Sequence, residues 1–172
     1  MSFQKIAIAL LLGGCLVVAG VSAMDILNPG MAPEKGTFDK PHGKLGTAGK
    51  GPWSGTTIAA GVDGKPLPGK VVKIVGEIID ISCYTQLGKH GTKHRDCGQK
   101  CLRAGQPIGL LTKEGKVYLL MDEEHDPRRD GLTNFRQAAI EHMAYVMEVT
   151  GTLTEVPGAN IQALYVRGYL KQ

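Results

Sequence analysis

Residues 71–81 read Val71-Val72-Lys73-Ile74-Val75-Gly76-Glu77-Ile78-Ile79-Asp80-Ile81, one long β-branched run with the composition of a strand. Gly76 stands in its middle. A glycine there marks a bulge or a sharp coil, as when one strand serves both halves of a small barrel. Strand-like stretches recur at 108–112 and 116–121, turning at Lys113-Glu114-Gly115, and at 145–154 and 161–170, turning at Pro157-Gly158-Ala159-Asn160. Gly151 interrupts the fourth strand much as Gly76 interrupts the first. Between the third and fourth, Leu132, Phe135, Ala139 and Met143 recur at helical spacing and predict an amphipathic helix over 131–143. Five strands with a helix between the third and fourth is the order of an OB-fold barrel. The expected class is therefore mainly β with inserted helices, a five-stranded OB-fold-like barrel over residues 70–172.

What precedes the barrel has a different composition. Lys5, the apolar stretch Ile6–Ala19 and Val21-Ser22-Ala23 have the layout of an export signal over 1–23, with a mature N-terminus at Met24. Leu12-Gly13-Gly14-Cys15 is also close to a lipoprotein box, which makes Cys15 a candidate lipidation site. The apolar Leu16-Val17-Val18-Ala19 that follows argues for cleavage after Ala23 instead. Either route takes the protein out of the cytoplasm, to the periplasm, with membrane association only if an anchor or a lipid is retained. Residues 24–69 are dense in Gly, Pro and Lys and almost free of apolar periodicity, the pattern of a flexible arm. Trp53, the chain's single tryptophan, falls inside it, as do Met31 and His42.

The chemistry concentrates in the insertion between the first two strands, Cys83 to Cys101: CYTQLGKHGTKHRDCGQKC. Three of the four cysteines and two of the five histidines lie here. A helix over 93–104, ended by Gly105-Gln106-Pro107, puts His94, Cys97 and Cys101 on one face. Cys83, closing the preceding strand, approaches from the other side. Export leaves Cys83, Cys97 and Cys101 in an oxidising compartment. An odd count allows one disulfide and a free thiol, or three thiolates held by a metal. Cys97 and Cys101 are poor disulfide partners on an intact helix. A bridge from Cys83 to either is the principal alternative.

Cys83, His94, Cys97 and Cys101 make a Cys3His set for zinc, with His90 as an additional candidate ligand. Zinc fingers commonly space paired ligands two residues apart, whereas Cys97 and Cys101 are separated by three. A C-x3-C pair with a nearby histidine is similar to the pattern of exported copper-handling proteins, and soft thiolates select Cu(I). Haem attachment needs C-x-x-C-H, which the chain lacks. Lys89, Lys93, Arg95, Lys100 and Arg103 surround the cysteines against Asp96 alone, and positive surroundings are expected to lower thiol pKa values.

Other classes fare less well. The formal net charge is +4 and falls to about +3 once Lys5 leaves with the signal, so no strong field is implied. Export and few stacking aromatics argue against nucleic acid. No residue pattern orients His90 or His94 as a catalytic base, so no catalytic residue is assigned and a non-enzyme is favoured. His125 and His142 read as loop and helix-surface residues, and the acidic Glu123, Glu124 and Asp126 receive no role.

Cys83-Tyr84, Gly88, Gly91, His94, Cys97 and Cys101, with Gly105-Gln-Pro-Ile-Gly-Leu-Leu and Gly115-Lys-Val-Tyr, resemble a family of small exported bacterial proteins of OB-fold-like type. The resemblance spans most of residues 71–168. It implies the fold and a cysteine/histidine site, and brings no activity with it. The functions in competition are a periplasmic metal-binding or metal-handling accessory protein using Cu(I) or Zn, serving a periplasmic protein or metalloenzyme; a non-catalytic OB-fold interaction module stapled by a disulfide; and a thiol-redox protein using Cys97 and Cys101.

Overall fold

The computed structural model of the chain describes residues 30–123, 133–155 and 161–167. The readings made for 1–23, Cys15 and His125 lie outside these residues. Among the described residues no helix is long and apolar enough to cross a membrane.

Strands β2 (Lys70–Asp80), β3 (Ile108–Leu111), β4 (Val117–Asp122), β5 (Val146–Glu155) and β6 (Gln162–Val166) close into a barrel in the order β2-β3-β4-β6-β5 and back to β2. All neighbours are antiparallel except β4 and β6, which run parallel. Closure depends on β2 serving two partners. Its first eight residues pair with β5 (Lys70↔Leu153 to Glu77↔Val146) and its last four with β3 (Glu77↔Leu111 to Asp80↔Ile108). Gly76 sits at the changeover. A Cβ there would lie 2.8 Å from the Leu111 carbonyl oxygen, closer than real Cβ atoms come. Gly151 does the same for β5, where a Cβ would meet the Tyr165 carbonyl oxygen at 2.5 Å.

A further strand, β1 (Gly43–Leu45), runs parallel to β5 from Gly43↔Met147 to Leu45↔Val149. It occupies the β5 edge that β6 takes over from Gly151 onward. The Gly/Pro-rich stretch thus contributes Leu45 to the core. It also contributes a short helix, α1 (Gly55–Ala60), capped by the Ser54 hydroxyl accepting from Thr57 N–H. Trp53 donates from Nε1 to the Leu67 carbonyl at 2.7 Å and meets Tyr165 edge-on at 5.4 Å. α1 is fixed to the barrel through buried Glu123, which accepts from Ser54 N–H at 2.6 Å and from the Thr57 hydroxyl at 3.0 Å.

Two helices close one end of the barrel: α3 (Arg95–Arg103) and α4 (Asn134–Glu141). The helix between β4 and β5 is shorter than the 131–143 its periodicity suggests. The Thr133 hydroxyl caps it, accepting from Arg136 N–H at 3.2 Å, and residues 142–144 turn sharply into β5, with Ala144 at φ 65°. Leu102, Phe135, Ala139, Ile140 and Met143 pack with Ile78, Leu110, Leu120, Val149 and Leu164 in one core. Burying a leucine such as Leu102 completely is worth about 1.5–3 kcal/mol, which sets how firmly α3 is docked.

Candidate metal centre

The segment joining β2 to β3 is built outward from two buried carboxylates of β2. Asp80 ends the strand and caps a short helix, α2 (Ile81–Leu87), its Oδ1 accepting from Ser82 N–H at 2.9 Å. Cys83 is therefore a residue of this helix and does not close the strand, because the Asp80 cap turns the chain directly where the ladder ends. Gly88 in the left-handed region terminates α2, its N–H donating to the Tyr84 carbonyl at 2.8 Å.

Glu77 then anchors the return of the chain. Its Oε1 accepts from Gly91 N–H at 2.7 Å and its Oε2 lies 2.9 Å from His90 Nδ1, while Tyr84 packs edge-on against His90 at 5.8 Å. Gly91 adopts φ +70° with the Met31 carbonyl so close that a Cβ would sit 2.4 Å from it. Only glycine suits both the backbone sign and that approach. A 3-10 turn at Thr92–His94 leads directly into α3.

Hydrogen bonds from three side chains and one cation–π contact hold α3 in place. Arg95 Nη2 donates to the Glu141 carbonyl at 2.9 Å and Nη1 to that of Met143, with the guanidinium 4.3 Å above the Tyr145 ring. Gln99 Nε2 donates to the Ile140 carbonyl at 2.8 Å. Arg136 Nη1 donates at 2.9 Å to the carbonyls of Leu102 and Gln106, satisfying groups that a helix C-terminus leaves open. With α3 fixed, Cys97 and Cys101, one turn apart, face α2.

The result is a cluster in two overlapping groups. Cys83, Cys97 and Cys101 have their Sγ atoms all within 4.8 Å of one another, and so do donor atoms of Asp80, Cys83 and His94. Cys83 belongs to both. Cys97 is exposed and Cys83 and Cys101 half-buried, whereas Asp80 and His94 are buried. All three cysteines are free thiols, so the alternative of a disulfide from Cys83 to α3 is not formed in this structure.

The polar bookkeeping of the inner group is incomplete. Asp80 Oδ2 and His94 Nε2 are both buried without a hydrogen-bond partner, and they lie 3.8 Å apart. That separation is too long for a hydrogen bond. Donor atoms sharing one tetrahedral ion sit about 3.3–3.8 Å apart, given ion–ligand distances of about 2.0–2.3 Å. Buried unpaired polar atoms cost free energy, so a pair of them facing a thiol cluster fits a cation site.

The thiols' acidity runs against the expectation from the nearby basic residues. Burial, then the neighbouring Asp80 carboxylate and the other cysteines, push Cys101 up to about 12, and Cys83 is raised chiefly by burial and Asp80. Arg95 is engaged with Tyr145 and the α4 carbonyls, and Lys89, Lys93, Lys100 and Arg103 are exposed to screening water. The buried carboxylate is the charge that the thiols feel most.

His94, Cys97, Cys101 and Cys83, named from sequence, converge. His94 joins Asp80 and Cys83 and does not complete a four-ligand set with all three thiols. His90 is held by Glu77 and belongs to neither group. Asp80 was missed by sequence reasoning, although a carboxylate closing an apolar strand just before a cysteine was the available signal. His142 is half-buried at the end of α4, with Nδ1 2.7 Å from the Ala138 carbonyl. No family model, no curated protein and no solved structure matches the chain.

Proposed function

We propose that this is an exported, periplasmic metal-binding accessory protein that holds a soft or borderline cation, Cu(I) or Zn(II), in the Cys83/Cys97/Cys101 cluster at the end of an OB-type barrel. One observation carries the reading: three free thiols from two helices meet beside two buried atoms, Asp80 Oδ2 and His94 Nε2, that have no hydrogen-bond partner. The closed five-stranded order with a parallel β4–β6 pair supports the OB assignment. The signal-like residues 1–23 support export.

Softness favours Cu(I) for the three-thiol set, and zinc is accommodated by thiolates with imidazole or carboxylate. Burial and the Asp80 carboxylate raise the Cys83 and Cys101 thiols, which weighs against thiol-redox catalysis by Cys101, a chemistry that needs a thiolate at neutral pH. A cation replaces the thiol protons on binding and supplies the positive charge that the cluster lacks. The exposure of Cys97 gives an incoming ion or a partner metalloenzyme access to the cluster.

Elemental analysis of the protein purified from the periplasm without chelators, with a parallel thiol count, is the direct test. Copper or zinc at one equivalent or more, with Cys83, Cys97 and Cys101 protected from alkylation, is the expected result. Metal-free protein with three freely reacting thiols, unable to take up Cu(I) or Zn(II), overturns it.

A further inference from the structure

We infer that the cluster is a two-cation centre in which Cys83 Sγ bridges an outer ion held with Cys97 and Cys101 and an inner ion held with Asp80 and His94. The inference rests on the metal-binding reading above and goes beyond it in number, ligand set and ion type.

Geometry is the first argument. The donor atoms do not fall into one group of five. They fall into two groups of three, each mutually within 4.8 Å, and Cys83 is their common member. A single ion drawing on all three thiols would leave Asp80 Oδ2 and His94 Nε2 buried, 3.8 Å apart and unpartnered. An ion bound by Asp80 and His94 alone would leave Cys97 and Cys101 unused. Two ions satisfy every donor, and thiolate sulfur, with several lone pairs, is a good bridging ligand.

Charge is the second argument. With three thiolates and one carboxylate, the fully deprotonated cluster carries four negative charges around a neutral imidazole. One divalent ion drawing on all three thiolates leaves two of the four charges uncompensated beside the fully buried Asp80, and burying unpaired charge is costly. Two divalent ions leave none.

The donor sets are also chemically different. The outer set is all sulfur and opens to solvent through Cys97, which suits a soft, exchangeable ion. The inner set is one nitrogen and one oxygen, both buried, with one sulfur from half-buried Cys83, and suits Zn(II). Binding at the outer set releases the protons of whichever thiols carry them to solvent; the inner set requires only that Cys83 be a thiolate, which the bridge provides.

Zn(II) titration of the chelator-treated, reduced exported protein, read by competition with a chromophoric chelator and repeated with Co(II) for its thiolate charge-transfer band, tests this. Two equivalents are expected for the unaltered protein. Asp80→Asn and His94→Gln each bind one, and keep the thiolate–Co(II) band of the outer ion. Cys97→Ser and Cys101→Ser also fall from two equivalents toward one, with a weakened band, and Cys83→Ser loses both ions. Asn retains the Ser82 cap, so Asp80→Asn separates ligand loss from misfolding, with circular dichroism as the check on each variant. One equivalent in the unaltered protein, diminished alike by all five substitutions, overturns the inference in favour of a single shared ion. One equivalent indifferent to Asp80→Asn and His94→Gln overturns the inner site. No bound Zn(II) or Co(II) in any form overturns the two-cation inference, and failure to take up Cu(I) as well overturns the metal-binding reading with it.

Discussion

Asp80 carries two jobs at once. Its Oδ1 caps α2 while its Oδ2 faces the thiols and His94. Asp80→Asn keeps a good N-cap and removes the charge; Asp80→Ala also gives up the cap, at a typical cost of about 1 kcal/mol. Urea unfolding of the metal-free protein should therefore rank Asn near the original and Ala below it. Burial, and after it the same carboxylate, sets a pH dependence. Cys101 is held up to about 12 in the folded protein against 9.0 as its ordinary value. Between those values the native state binds more protons than the unfolded chain, so this group's stabilisation is complete below about pH 9 and declines as pH rises toward the folded value. Metal-free protein is expected to unfold at lower urea at pH 10.5 than at pH 8, and Asp80→Asn should flatten that difference. The cysteines were legible in the sequence from their spacing alone. Asp80 was not, because an aspartate at a strand end is an ordinary helix cap and its second oxygen has meaning only once α3 is packed beside it.

The elements were legible where periodicity or composition is strong and less so at their ends. β2 and the β3–β4 hairpin fall within a residue or two of the sequence reading, and Gly76 and Gly151 sit where strands change partners. Cys83 was assigned to the strand because Ile81 continues its apolar run; the Asp80 cap, a local hydrogen bond, wins over that composition. α3 is expected to depend on distant residues more than on its own sequence, since Gly98 and the short length make it a poor isolated helix. Arg136 closes its C-terminus onto α4. Arg136→Ala removes the Nη1 hydrogen bonds to the half-buried Leu102 carbonyl and the exposed Gln106 carbonyl, and a loss of about 1 kcal/mol in chemical unfolding is expected, with weaker metal retention as Cys97 and Cys101 lose their fixed positions. Unchanged stability would mean that Leu102, Arg95 and Gln99 suffice to hold α3.

For the molecule as a whole, the barrel order was readable because each strand announces itself and the helix between β4 and β5 is amphipathic. The role of residues 30–69 was not, since a stretch without apolar periodicity gives no sign of a three-residue strand or of a tryptophan finding Tyr165. Leu45 in the core, β1 on the β5 edge and Trp53 on Tyr165 together predict that a chain starting at Lys70 unfolds at clearly lower urea than one starting at Met24. Equal midpoints would make the segment an ornament of the barrel. The central claim is that the fold exists to bring three thiols and the Asp80–His94 pair around cations, and thiol protection tests it most directly. Alkylation of the reduced protein with and without added Zn(II) or Cu(I), followed by mass spectrometry of the tryptic peptides, reports Cys83, Cys97 and Cys101 individually. The account predicts modification of all three without metal, protection of all three together once metal is added, and return of reactivity on chelation. Three thiols that react at the same rates with and without metal would contradict it.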